Sequence, residues 1–131
     1  MLDELSEAMP FARAAGVELV AAAPEEVRAR LAWTAERCTA GGILHGGALM
    51  TLADSAGGLC AYLNLPDGAT TATVESKTNF LRPVPAGSVE AVARPVNVGR
   101  RLILVQTELR DGDGRLVALT TQTQAVVNPR S

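Results

Sequence analysis

The stretch ALMTLADSAGGLCAYLNL, residues 48–65, decides the fold. It lacks the strict polar/apolar alternation of a half-exposed strand and stops before Pro66, so it reads as a helix. The helix is apolar nearly all round, which is the pattern of a buried one. Between Arg37 and Asp67 the only residue carrying a full charge at neutral pH is Asp54. Asp54 is therefore expected to be buried with its helix. A carboxylate in an apolar setting is costly without partners, and such groups are functional candidates. The alternative is a structural aspartate bonded to a nearby loop or to Ser55, and the helix by itself leaves both open.

Immediately upstream, the small-residue loop Thr39-Ala40-Gly41-Gly42 leads to His45-Gly46-Gly47. At a helix start, free backbone N–H groups and the positive end of the helix dipole point outward together, so Gly46 and Gly47 could hold an oxyanion. Glycine also lets a ligand carbonyl approach the backbone closely, although Gly-Gly before a helix is equally an ordinary turn. A lone histidine beside such a pair orients a loop more often than it catalyses, so His45 takes a supporting role.

Downstream lie four extended segments rich in Val, Thr, Leu or Ile: residues 70–81, 88–96, 101–110 and 116–127. Their links, Pro83-Val84-Pro85-Ala86-Gly87, Asn97-Val98-Gly99 and Asp111-Gly112-Asp113-Gly114, are turn sequences that suit antiparallel neighbours. Upstream, residues 17–21 and 27–33 form a hairpin around Pro24-Glu25. In its second strand Val27, Ala29, Leu31 and Trp33 alternate with Arg28 and Arg30, giving one wet face. Residues 2–15 have helical spacing and read as one short helix. The sum is an α+β domain over residues 1–131, one long helix lying across a strongly curved antiparallel sheet of five to six strands. On its strand, Glu75 is expected to face the same side as Thr73 and Lys77, exposed or salt-bridged.

Composition narrows function. Net charge is −2 with a pI near 5.4 and scattered arginines, which offers no phosphate-neutralising surface for nucleic acid. The start, MLDELSEAMPFARAAG, carries early acidic residues and no uninterrupted apolar run, so neither a signal peptide nor a membrane span is expected, and the cytoplasm is the expected location. Cys38 and Cys60 read as reduced thiols, and one histidine without clustered carboxylates points to no metal.

Two stretches carry a resemblance. GGILHGGALMTLAD, residues 41–54, followed by TVESKTNFLRPVPAG, residues 73–87, resembles the hotdog-fold acyl-CoA thioesterases of the phenylacetate-degradation (PaaI-like) family. The resemblance runs from about Arg37 to Val127. It implies a helix wrapped by an antiparallel sheet, and dimers that pair the strand of residues 70–81 across a two-fold axis. It further implies frequent assembly into a dimer of dimers, a homotetramer, with active sites between subunits. Carried onto this chain, the Gly46 amide would polarise the thioester carbonyl. Asp54 of a partner chain would act as nucleophile or general base, and His45 would brace the Gly46 loop. Gly47 would lie against substrate. Many relatives carry an amide side chain six positions before the histidine, where this chain has Thr39. Thr73 matches a small hydroxyl near the acidic group, or is simply a β-branched strand residue. Arg82, Arg100 and Arg101 lie beside turns and could meet the phosphates of coenzyme A, the latter two better matched by resemblance. No cofactor is implied.

Other functions of such a fold are a 3-hydroxyacyl thioester dehydratase, which would want a catalytic histidine placed with the acid, and a non-catalytic acyl-CoA binding module. The acyl group is left between aromatic and medium-chain: Leu49, Ala53, Leu59 and Tyr62 read either as an acyl tunnel or as core.

Overall fold

The computed structural model describes residues 1–129. Two short helices, α1 (Leu2–Glu7) and α2 (Pro10–Ala15), precede the hairpin β1 (Glu18–Ala23) and β2 (Glu26–Ala32). A single 3-10 turn leads to the long helix α3 (Gly46–Tyr62), followed by β3 (Thr70–Phe80), β4 (Ser88–Val98), β5 (Leu102–Arg110) and β6 (Leu116–Val127). All strand pairs are antiparallel, and they form one six-stranded sheet in the order β1-β2-β4-β5-β6-β3. Among the described residues no helix is long and apolar enough to cross a membrane.

The expected hairpin alternation is present. Val27, Ala29 and Leu31 are buried, and the facing Val89, Ala91 and Ala93 of β4 continue that inner surface. Helix α3 lies on it through Leu49, Leu52, Ala53, Ala56, Leu59, Cys60 and Ala61, and these residues belong to one apolar cluster with Ile103, Val105 and Leu109 of β5. On the outer face Arg28 bridges Glu26 and Glu90 at 2.7 and 2.8 Å, and Arg94 bridges Glu26 and Glu108 at 2.7 and 3.6 Å. The Arg28 guanidinium, helped by Arg94, holds the Glu26 carboxyl below its ordinary value. Exposed pairs of this kind add little each, but they join β2, β4 and β5 on the wet side.

Three expectations need correction. The helix over residues 2–15 is two helices, because Pro10 lacks an N–H and disfavours helical geometry at Met9 (φ −118°, ψ 70°), so a new helix starts with proline in its first turn. Helix α3 ends at Tyr62, three residues before the apolar run does, and Tyr62 is exposed rather than core or tunnel. Finally, β3 carries a bulge. Thr73 pairs with Gln124 but Glu75 pairs with Thr123, leaving Val74 as the extra residue. The bulge reverses the alternation, so Thr73 faces the helix side while Glu75 and Lys77 face away. Glu75 is exposed there. Strand β3 pairs only with β6, and its outer edge is open among the described residues.

Candidate active site

The N-terminus of α3 is fixed by the chain that enters it. Cys38 bridges Leu44, His45 N–H donates to the Arg37 carbonyl at 2.9 Å, and Leu44 N–H donates to the Val84 carbonyl at 2.9 Å. The connecting loop turns at Gly41 and Gly42, with φ of 86° and 73°, a region where side chains with a Cβ are strained. His45 then caps the helix: Nδ1 accepts from Gly47 N–H at 2.8 Å, and its carbonyl accepts from Ala48 and Leu49 N–H at 2.9 and 3.2 Å. A helix leaves four N–H groups open at its start. His45 takes two of them, those of Gly47 and Ala48, its own N–H goes to the Arg37 carbonyl, and the Gly46 N–H remains without a partner among the described residues. Because Nδ1 is an acceptor, the ring's proton sits on Nε2 when neutral. Gly47, with its amide used by the cap, has none to offer a ligand. Gly46 lines a cavity of about 330 Å³ together with Thr39, Ile43, Leu49, Phe80 and Arg82.

Asp54 lies elsewhere. Eight residues along α3, it is about 12 Å from Gly46 along the axis and rotated by about 80°. It lines a groove of about 560 Å³ with Met9, Phe11, Met50, Leu59 and Ser76. Its burial was expected and is corrected here: Asp54 is exposed. The sheet covers the face of α3 carrying Leu52, Ala53 and Ala56, whereas the flank carrying Thr51, Asp54 and Ser55 looks past the β3 edge into the groove. Nor does Ser55 bond Asp54; its hydroxyl donates to the Thr51 carbonyl at 2.6 Å, and the Thr51 hydroxyl to the Gly47 carbonyl at 2.9 Å. The side chain that does reach Asp54 is Gln122 of β6, whose Nε2 donates to Oδ1 at 3.3 Å. Gln122 and Ser76 are the site residues that sequence reasoning missed. The available signal was Gln122 and Gln124 alternating on one face of a strand, opposite a helix interrupted by Gly57-Gly58.

The remaining candidates separate. Thr73 accepts from Gln124 Nε2 at 2.7 Å, in a small network with Thr71, and does not bond Asp54. Arg100 and Arg101 line a third cavity with Asn97 and Asn128, while Arg82 belongs to the Gly46 cavity. Leu49 and Leu59 are core residues that also border the two cavities, and Ala53 is core. Both cysteines are free; burial pushes the Cys60 thiol up to about 11. Among the described residues no group of three or more potential ligands could hold a metal ion.

A long helix wrapped by a curved six-stranded antiparallel sheet, with an open amide at the helix start and a carboxylate two turns on, defines a hotdog-fold protein of the thioesterase type. Residues 41–118 match the model of the thioesterase superfamily, and the chain belongs to that family. A thioesterase of Haemophilus influenzae superposes with a TM-score of 0.92 at 29% identity, covering 98% of this chain and 91% of that one. The phenylacetic acid degradation protein PaaI of Thermus thermophilus superposes with a TM-score of 0.81 at 34% identity, covering 88% and 97%. In sequence, the 1,4-dihydroxy-2-naphthoyl-CoA hydrolase of Escherichia coli is 34% identical over 86 residues, 66% of this chain and 63% of that protein. The chain thus spans just under two thirds of that relative's length.

Proposed function

We propose that this chain is an acyl-CoA thioesterase, cleaving an aromatic or medium-chain acyl-CoA to the free acid and CoA at sites shared between two subunits. The observation that carries the reading is the pairing, on one helix, of an open Gly46 N–H with the Asp54 carboxylate, about 12 Å apart and facing different cavities. One thioester carbonyl must lie about 3 Å from both an oxyanion donor and the attacking group. A single copy cannot meet that requirement, whereas two copies joined along the open β3 edges could bring the Gly46 of one to the Asp54 of the other. Dimers, or dimers of dimers, follow from this reading.

In the reaction, the carbonyl oxygen accepts from Gly46 N–H. Asp54 takes a proton from water as it attacks the carbonyl carbon, or attacks directly to form a mixed anhydride that water then hydrolyses to the free acid. The oxyanion is stabilised at the amide and the helix start. Collapse breaks the C–S bond and CoA leaves as a thiolate, which takes the proton held by Asp54 in the water route or one from solvent in the direct route. His45 holds the helix start in place; with Nδ1 engaged by Gly47, it favours hydrolysis over a histidine-based dehydration. Arg100 and Arg101, which share a cavity with Asn97 and Asn128, are the proposed contacts for CoA phosphates, with Arg82 in the Gly46 cavity as a further candidate. Thr39 beside Gly46 is the candidate for positioning water or carbonyl, and no cofactor enters.

The test is thiol release from a panel of phenylacetyl-, hydroxyphenylacetyl-, benzoyl- and short- to long-chain fatty acyl-CoA. Asp54→Asn should lower hydrolysis at least about a hundredfold while CoA derivatives still bind. Binding of CoA derivatives without cleavage by the unmodified protein would instead support a non-catalytic binding module.

A further inference from the structure

Two features in the middle of α3 have a local cost. Gly57 and Gly58 sit inside a helix, where glycine is less favourable than alanine. Beneath them, Gln122 is buried in the core, and its carbonyl Oε1 finds no hydrogen-bond donor among the described residues. The two features are coupled: a Cβ built on Gly57 would collide with Gln122 Oε1 and lie 2.6 Å from Cδ. Glycine at 57 is what admits the amide between helix and sheet. Among the described residues, the amide's one polar contact is the Nε2 donation to Asp54 Oδ1 at 3.3 Å.

We infer that Gln122, admitted by Gly57, is a positioning residue that aims the Asp54 carboxylate for hydrolysis; the inference rests on the thioesterase reading above. The N–H donor restricts the carboxylate's rotation, while the buried amide is itself held by packing on both sides.

The experiment compares unmodified protein, Asp54→Asn, Gln122→Leu, Gly57→Ala and a remote core variant, Leu109→Ala, by kcat, KM and Tm. Gln122→Leu should lower kcat about tenfold, with KM within about twofold. Gly57→Ala, which keeps the amide but displaces it, should lower kcat in the same way. Leu109→Ala should lower Tm and leave kcat within about twofold, which separates positioning from loss of stability. If Asp54→Asn is dead yet Gln122→Leu and Gly57→Ala keep the kcat of the unmodified protein, the positioning role is overturned and the thioesterase reading stands. If Asp54→Asn retains turnover, the thioesterase reading itself falls and this inference falls with it.

Discussion

Gly46→Pro would delete the candidate oxyanion donor with little other damage. Proline lacks only the N–H that His45 leaves open, and it is favoured at the first position of a helix. The residue before a proline must be extended, and His45 already is, with φ −61° and ψ 137°. The new ring would meet Phe80, whose Cζ lies 3.3 Å from a Cβ built on Gly46, so the phenyl ring must give by a few tenths of an ångström. Gly46→Ala meets the same ring but keeps the amide, and so isolates the hydrogen bond from the crowding. Loss of one preorganised donor costs about 2.7–4 kcal/mol in the transition state, or about a hundred- to a thousandfold in kcat. We expect that loss in Gly46→Pro and no more than about tenfold in Gly46→Ala, with both melting within a few degrees of the unmodified protein. The assay is thiol release from the best acyl-CoA of the panel at saturating concentration. Gly46→Pro with unmodified kcat, or Gly46→Ala as impaired as Gly46→Pro, would refute the oxyanion role.

Two other outcomes follow from the same geometry. If each site takes Gly46 from one subunit and Asp54 from the other, co-refolding equal amounts of Asp54→Asn and Gly46→Pro should restore about a quarter of unmodified activity. Half of the dimers are then mixed, and each mixed dimer has one intact site; no recovery on mixing would place both groups in one chain. The thiols should also differ. The thiolate is the reactive form, and burial holds the Cys60 thiol protonated up to about pH 11, so a thiol reagent at pH 8 should label Cys38 in the native protein and reach Cys60 only on unfolding. Equal labelling rates, read by mass spectrometry, would contradict the packing of Cys60.

The sequence by itself determined the elements whose signals are local. The helix is written in a contiguous apolar run, the strands in Val- and Thr-rich segments between turn residues, and the wet face of β2 in the alternation of Arg28 and Arg30 with Val27, Ala29 and Leu31. The helix start at Gly46 was legible for the same reason, since capping involves neighbours within a few residues. What the tertiary structure decided depends on which segments meet. Asp54 was conspicuous in sequence, but its exposure was not, because the sheet covers one face of α3 and leaves the other flank open. The bulge at Val74 adds one residue to a strand and turns Glu75 away from Thr73, and only the register against β6 reveals it. The Gln122 contact joins groups 68 residues apart, and the need for glycine at 57 appears only when the amide is seen beneath it. Local propensity is carried by adjacent residues, whereas side-chain direction and long-range polar contacts are set by strand pairing and by what packs on each face.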